Sequence, residues 1–231
     1  MTLRWLLGLL CLSVVVDAMA QTPAGPPPVP ADVSPLHVVT YLELRPNAQS
    51  EGAALLRSWQ EAQRRAAGNL RAELVRSPTR PGQFVVIAAW RDKAASDAAA
   101  SATQELREKL HALRDSPADD RFHSGFATGK LDTPRGALYV VTHVDVIPPR
   151  REDAQAALKA LADANRAADG NLRYEVLQQT NRLNHFTVVE TWRSRQAFDA
   201  NSMSAHQREF RDKLAPMAGA LYDERLYEIL D

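Results

Sequence analysis

Apolar and polar positions along this chain fall into a pattern that is written twice. From residue 37 the order begins with a short apolar stretch rich in Val, Thr and Tyr, His37–Leu44. A longer stretch, Ala48–Ala67, carries Leu55, Leu56, Trp59 and Ala62 at helical spacing. Two more stretches with β-type composition follow, Asn69–Arg76 and Phe84–Arg91, then a second helical stretch ending near Leu113, then Arg121–Ala127. The same order returns as Leu138–Val146, Arg151–Asp169 with Leu158, Leu161 and Ala164 on one face, Asn171–Gln178, Phe186–Arg193, a helix ending near Leu214, and Glu224–Leu230. Gly68 and Gly170 stand where a helix C-cap glycine belongs, each followed by Asn.

The two copies align residue by residue. Val38-Val39-Thr40 recurs as Val140-Val141-Thr142, Gly68-Asn69-Leu70-Arg71 with Glu73 as Gly170-Asn171-Leu172-Arg173 with Glu175, and Trp90-Arg91 as Trp192-Arg193, all 102 positions apart. Between residues 38–92 and 140–194, 19 of 55 positions are identical. Further on, Leu106-Arg107-Glu108-Lys109-Leu110 matches Phe210-Arg211-Asp212-Lys213-Leu214 at a spacing of 104, so a two-residue indel falls in the second helix of the unit. A period this long, repeated only twice, marks a duplicated domain and not a solenoid.

The order βαββαβ predicts the α+β class: two ferredoxin-like repeats, 36–130 and 137–231, each an antiparallel sheet with both helices on one face. Stretches such as Phe84–Trp90 are apolar on both parities, so the second face of each sheet must be buried too. The other repeat's sheet is its natural cover. Face to face, the two sheets would form an intramolecular pseudo-dimeric α+β barrel with the helices outside.

Upstream of the repeats, Arg4, an apolar run of about ten residues from Leu6 to Val16, and Ala18-Met19-Ala20 read as a cleavable export signal over residues 1–20. Residues 21–35, rich in proline, read as a linker. The expected location is secreted or periplasmic, with cleavage after Ala20 and no stable membrane insertion afterwards. Cys11, inside the signal, is the one cysteine of the chain. A mature chain from Gln21 would therefore have no disulfide, thiolate zinc site or thiol nucleophile. With 28 basic and 28 acidic residues the net charge is zero, which argues against a nucleic-acid partner.

The second repeat resembles the antibiotic biosynthesis monooxygenase family, within the dimeric α+β barrel superfamily. The resemblance rests on Phe186-Thr187-Val188-Val189-Glu190-Thr191-Trp192, on Arg195-Gln196-Ala197-Phe198-Asp199-Ala200-Asn201, on Ser204-Ala205-His206, and on Tyr222-Asp223-Glu224-Arg225-Leu226-Tyr227. Family members carry a glutamate strand ending in an aromatic, then two helix histidines five residues apart. His206 matches the second, and Asn201 replaces the first. In the first repeat Ala88 stands where Glu190 stands, so the resemblance implies one functional site in the second repeat and a degenerate copy in the first. It also implies pairing of two units, supplied here within a monomer by the fused repeats or extended by a homodimer. The reaction implied is cofactor-independent oxygenation of quinol-like or polyphenolic aromatics, with the small aromatic substrate and O2 as partners. The alternative is a non-catalytic small-molecule or haem-binding module, since some relatives bind haem through a helix histidine near Asn and Trp.

Nucleophile-elbow, Walker and HExxH signatures are all missing from the sequence. The chemistry implied needs a dry cavity, a base that forms the substrate anion, and donors that hold it. His206 is the candidate base, with Asn201 and Glu190 beside it as catalytic candidates; the alternative for His206 and Asn201 is an exposed polar helix face. Glu190, inside an apolar strand, should be paired, with Arg193 or Arg173 as partner, or carry a raised pKa. Trp192, His143 and Arg193 are candidates for substrate binding, although Trp192 matches Trp90 and can equally be core. The histidines lack local metal-ligand spacing, so no metal site is expected.

Overall fold

Strand alternation sorts the side chains of each repeat onto two buried faces, and the architecture follows from where those faces go. The computed structural model describes residues 35–129, 136 and 138–230. The export signal read over 1–20, and the linker read over 21–35 apart from Pro35, lie outside the described residues. In the first repeat β1 (Leu36–Glu43), α1 (Gln49–Arg65), β2 (Asn69–Arg76), β3 (Gln83–Trp90), α2 (Lys93–Ala102), α3 (Gln104–Leu113) and β4 (Asp119–Ala127) follow one another. The second repeat gives β5 (Leu138–Asp145), α4 (Arg151–Arg166), β6 (Asn171–Gln179), β7 (His185–Trp192), α5 (Arg195–Ser202), α6 (Ala205–Leu214) and β8 (Asp223–Ile229).

The eight strands close into one barrel in the order β1-β3-β2-β8-β5-β7-β6-β4. Each repeat contributes four antiparallel neighbours, and two antiparallel seams join them. One is β2 with β8, through Val75 opposite Ile229 and Arg76 opposite Glu228. The other is β4 with β6, from His123 opposite Gln179 to Ala127 opposite Val176. Inward-facing Val39, Val75, Ile87, Val141, Leu177 and Val189 meet in the barrel interior. Outward-facing strand residues pack under the helices: Leu74, Phe84 and Val86 against Leu56 and Trp59 of α1 in the first repeat, and Tyr174, Val176 and Phe186 against Leu158 of α4 and Phe210 of α6 in the second. Among the described residues no helix is long and apolar enough to cross a membrane.

The repeated Gly-Asn-Leu-Arg-x-Glu motif has a structural meaning. Gly68 and Gly170 take φ of 82° and 80°, which L side chains rarely adopt. Asn69 and Asn171 then open a register shift before Arg71 and Arg173. The Asn69 amide donates to the Arg71 carbonyl, and the Asn171 amide to the Arg173 carbonyl, both at 3.3 Å. From there the Arg-x-Glu alternation aims both charges into the barrel, where the repeats exchange partners. Arg71 pairs with Glu175 at 2.7 Å, and Arg173 with Glu73 at 2.5 Å. Burial opposes the charge on Glu175, yet Arg173 and Arg71 hold its carboxyl below the usual range.

The single second helix expected in each unit is two helices. The first pair breaks at Thr103, whose hydroxyl donates back to the Ala99 carbonyl at 2.8 Å. The second pair breaks at Met203-Ser204, where the Ser204 hydroxyl accepts from the Gln207 N–H at 3.4 Å and caps α6. The two extra residues of the second copy fall at this break, so α6 opens with Ala205-His206.

Candidate active site

On β7 the even-numbered residues Phe186, Val188, Glu190 and Trp192 are buried toward the helices, because successive strand side chains alternate. Glu190 and Trp192 are therefore neighbours on one face, and the Trp192 indole N–H donates to Glu190 Oε2 at 2.8 Å. Neither arginine expected from the sequence reaches this carboxyl. Arg173 sits opposite Thr191, on the barrel-interior face, while the residue opposite Glu190 on β6 is Tyr174. Arg193 lies at the surface and pairs with Asp169 at 2.8 Å. With no cation beside it among the described residues, Glu190 responds chiefly to burial. Its pKa is raised to about 8, against the pull of the Trp192 N–H and with the Glu224 charge adding to the rise. At neutral pH Glu190 is a carboxylic acid, able to donate. Burial pushes the Tyr222 phenol far up, with Glu224 and Glu190 adding to it. Burial likewise raises Glu224 and, reinforced by Glu190, Tyr174.

The helices supply a second group. Asn165 of α4 is fully buried, and three donors converge on its Oδ1: Asn201 Nδ2 at 2.8 Å, His206 Nε2 at 3.0 Å and Gln207 Nε2 at 3.2 Å. His206 Nε2 also lies 3.0 Å from Asn201 Oδ1. Two carbonyl oxygens on one ring nitrogen assign the proton to Nε2, leaving the Nδ1 lone pair free to act as a base. The turn at Met203-Ser204, closed by the Ser204 N–H to the Asn201 carbonyl at 2.9 Å, brings Asn201 and His206 together. An apolar pocket of about 560 Å³, counted to its open mouth, lies on the helix side of β5, walled by Val144, Leu214, Ala218 and Tyr222 with Arg211 at its edge.

The structure thus joins His206 with Asn201, and Glu190 with Trp192. It places the other two candidates elsewhere. His143 faces the barrel interior, its ring 5.1 Å from Tyr41 and its nitrogens 2.9 and 3.0 Å from Arg121. Burial, and then Arg121, lowers its pKa to about 4. Arg193 stays outside both groups. Trp192 is wholly covered, edge to face with Phe198 at 6.0 Å. Asn165, Gln207, Tyr174 and Tyr222 were not among the candidates. The signal for Tyr174 was its difference from the first copy, where Ala72 stands. Among the described residues no group of three His, Cys, Asp or Glu side chains is placed to hold a metal ion.

The family model for antibiotic biosynthesis monooxygenase matches residues 35–112 and again 137–213. The chain belongs to the antibiotic biosynthesis monooxygenase family. Its two family domains lie in tandem, and a single-domain relative shows the correspondence. The candidate monooxygenase YcnE of Bacillus subtilis (strain 168) is 26% identical over 86 residues, which is 37% of this chain and 90% of that protein. Among solved structures, a candidate monooxygenase from Fusobacterium nucleatum superposes with a TM-score of 0.76 at 11% identity, covering 87% of this chain and 94% of that one. An anthrone oxidase-like protein superposes with a TM-score of 0.65 at 15% identity, covering 87% and 93%. At these identities the likeness is one of fold, over both family domains together.

Proposed function

We propose that the second repeat oxygenates a hydroxylated aromatic, a quinol or polyphenol, using O2 and no resident cofactor. The observation that supports this reading is that the helix side of the second repeat carries both a neutral buried carboxyl, Glu190, and an amide-held histidine, His206; the apolar pocket on that side is walled by Tyr222 and not by either group. Such a substrate must lose a proton before its ring can pass electrons to O2. His206 takes that proton on Nδ1, while Asn165 and Asn201 hold Nε2–H and fix the ring. Glu190, protonated at neutral pH, donates to the developing anion, and burial strengthens that interaction. Where a ring CH2 of the keto tautomer becomes C=O, two C–H bonds break. One atom of O2 becomes the carbonyl and the other leaves as water with both hydrogens, so no outside reductant is needed.

The same proposal puts the protein outside the cytoplasm, on the strength of Arg4, the Leu6–Val16 run and Ala18-Met19-Ala20. The intact mass of the protein from a periplasmic extract should begin at Gln21.

The test of function is oxygen uptake by the purified chain with a panel of quinols and polyphenols, beside His206→Ala. Uptake above autoxidation, falling about 10²- to 10⁴-fold in the variant, is expected for a general base. Uptake unchanged in the variant would remove His206 from the mechanism, and no uptake across the panel would refute the oxygenase.

A further inference from the structure

A cleft of about 480 Å³, counted to its open mouth, lies between the first repeat's sheet and α2 and α3. It exists because the first copy is small where the second is large. Ala88, Ser96 and Ala99 line it, and at the matching positions the second copy has Glu190, Phe198 and Asn201. Its walls are aromatic and aliphatic: Trp59, Trp90, Val38 and Val86, with half-exposed Phe122. The Trp59 ring is fixed, since its N–H donates to the Thr103 hydroxyl at 3.2 Å.

The charged groups at the cleft are already engaged. Arg107 pairs with Asp120 at 2.6 Å and lies over Trp59, and Asp120 also accepts the Thr40 hydroxyl at 2.6 Å. Asp97 is held by Lys93 at 2.6 Å. A charged ligand would find no free counter-charge in this set. One polar group differs. Gln63 lines the cleft at 5% exposure, and its amide Nε2 has no hydrogen-bond partner among the described residues. A buried donor without an acceptor carries an unmet cost that a ligand oxygen would remove.

We propose that this cleft is a second binding site, for a neutral planar aromatic bearing a carbonyl oxygen, with the ring against Trp59 and Trp90 and the oxygen on Gln63. The assignment does not depend on turnover in the second repeat, because it uses none of that repeat's groups.

The probes are 1,4-naphthoquinone and naphthalene, the same ring system with and without the acceptor, followed by saturable quenching of tryptophan fluorescence. The expected result is tighter binding of the quinone than of naphthalene. Gln63→Leu should weaken the quinone about tenfold and leave naphthalene unchanged. Ser96→Phe, which installs the second copy's residue, should abolish binding of both. Binding that survives in a folded Ser96→Phe protein would put the ligand elsewhere and overturn the proposal, as would no saturable quenching at millimolar quinone. Should Ser96→Phe fail to fold, Gln63→Leu decides: equal quinone affinity in wild type and variant overturns it.

Discussion

Glu190→Gln isolates a buried carboxyl that is set by its surroundings and not by a counter-ion. In the fold its pKa is about 8, against an ordinary value of 4.5. The folded state therefore keeps a proton that the unfolded chain releases. The stabilisation from that proton is complete below pH 4.5 and is lost progressively as pH rises through 8. Linkage over the window from pH 5.5 to 7.5 gives a loss of about 2.5 kcal/mol for wild type that glutamine does not suffer. Glutamine keeps the shape and an oxygen for the Trp192 N–H. Urea unfolding of both proteins at pH 5.5, 6.5 and 7.5 reads the effect as the difference in unfolding free energy. The buried histidines titrate in both proteins and cancel in that difference. Wild type should fall steadily toward the variant, or below it, as pH rises. A difference flat across the three values would show that Glu190 is ionised in the fold and would remove it as a donor at neutral pH.

Three further outcomes follow from the same geometry. Glu175→Gln leaves Arg71 and Arg173 sharing one carboxylate inside the barrel, and the urea midpoint at pH 7 should report a loss of about 3–5 kcal/mol. Gly170→Ala forces a side chain onto a φ of 80° and brings its Cβ to 2.5 Å from Ala197 Cβ, so thermal melting should show a loss of about 2 kcal/mol or more. His37, whose pKa burial lowers to about 4 despite Glu175, costs the wild-type fold about 2 kcal/mol at pH 5, since the unfolded chain takes up the proton and the fold does not; His37→Leu should move the acid-unfolding midpoint, followed by circular dichroism, to lower pH.

The duplicated pattern carried the architecture. Identical residues at matched positions identified the unit, and strands apolar on both parities required a second buried face. The site was less legible, because a carboxyl's partner depends on which side of the sheet each candidate faces. Arg173 is one strand from Glu190, yet the register sets it opposite Thr191 and so on the other face. Asn201 and His206 were readable as a pair from their spacing. Asn165, which holds them together, comes from a helix 36 residues away and gave no local sign. In the first repeat the loss of polar side chains was legible as decay. The space that the alanines leave shows only in the packed structure.

The two cross-repeat seams have a consequence for assembly. Each four-stranded half, alone, would leave β2 and β4 unsatisfied along an edge, or β6 and β8 in the other half. Two separate chains would close that barrel only above a threshold concentration, and dilution would open it. Joined in one polypeptide, the halves meet at a concentration fixed by their tether, however scarce the protein. Fusion also lifts the rule that a twofold pair imposes on its members, that every change occurs twice. One half can then fill its helix-side space with acids, phenols and amides while the other clears the same space with alanines.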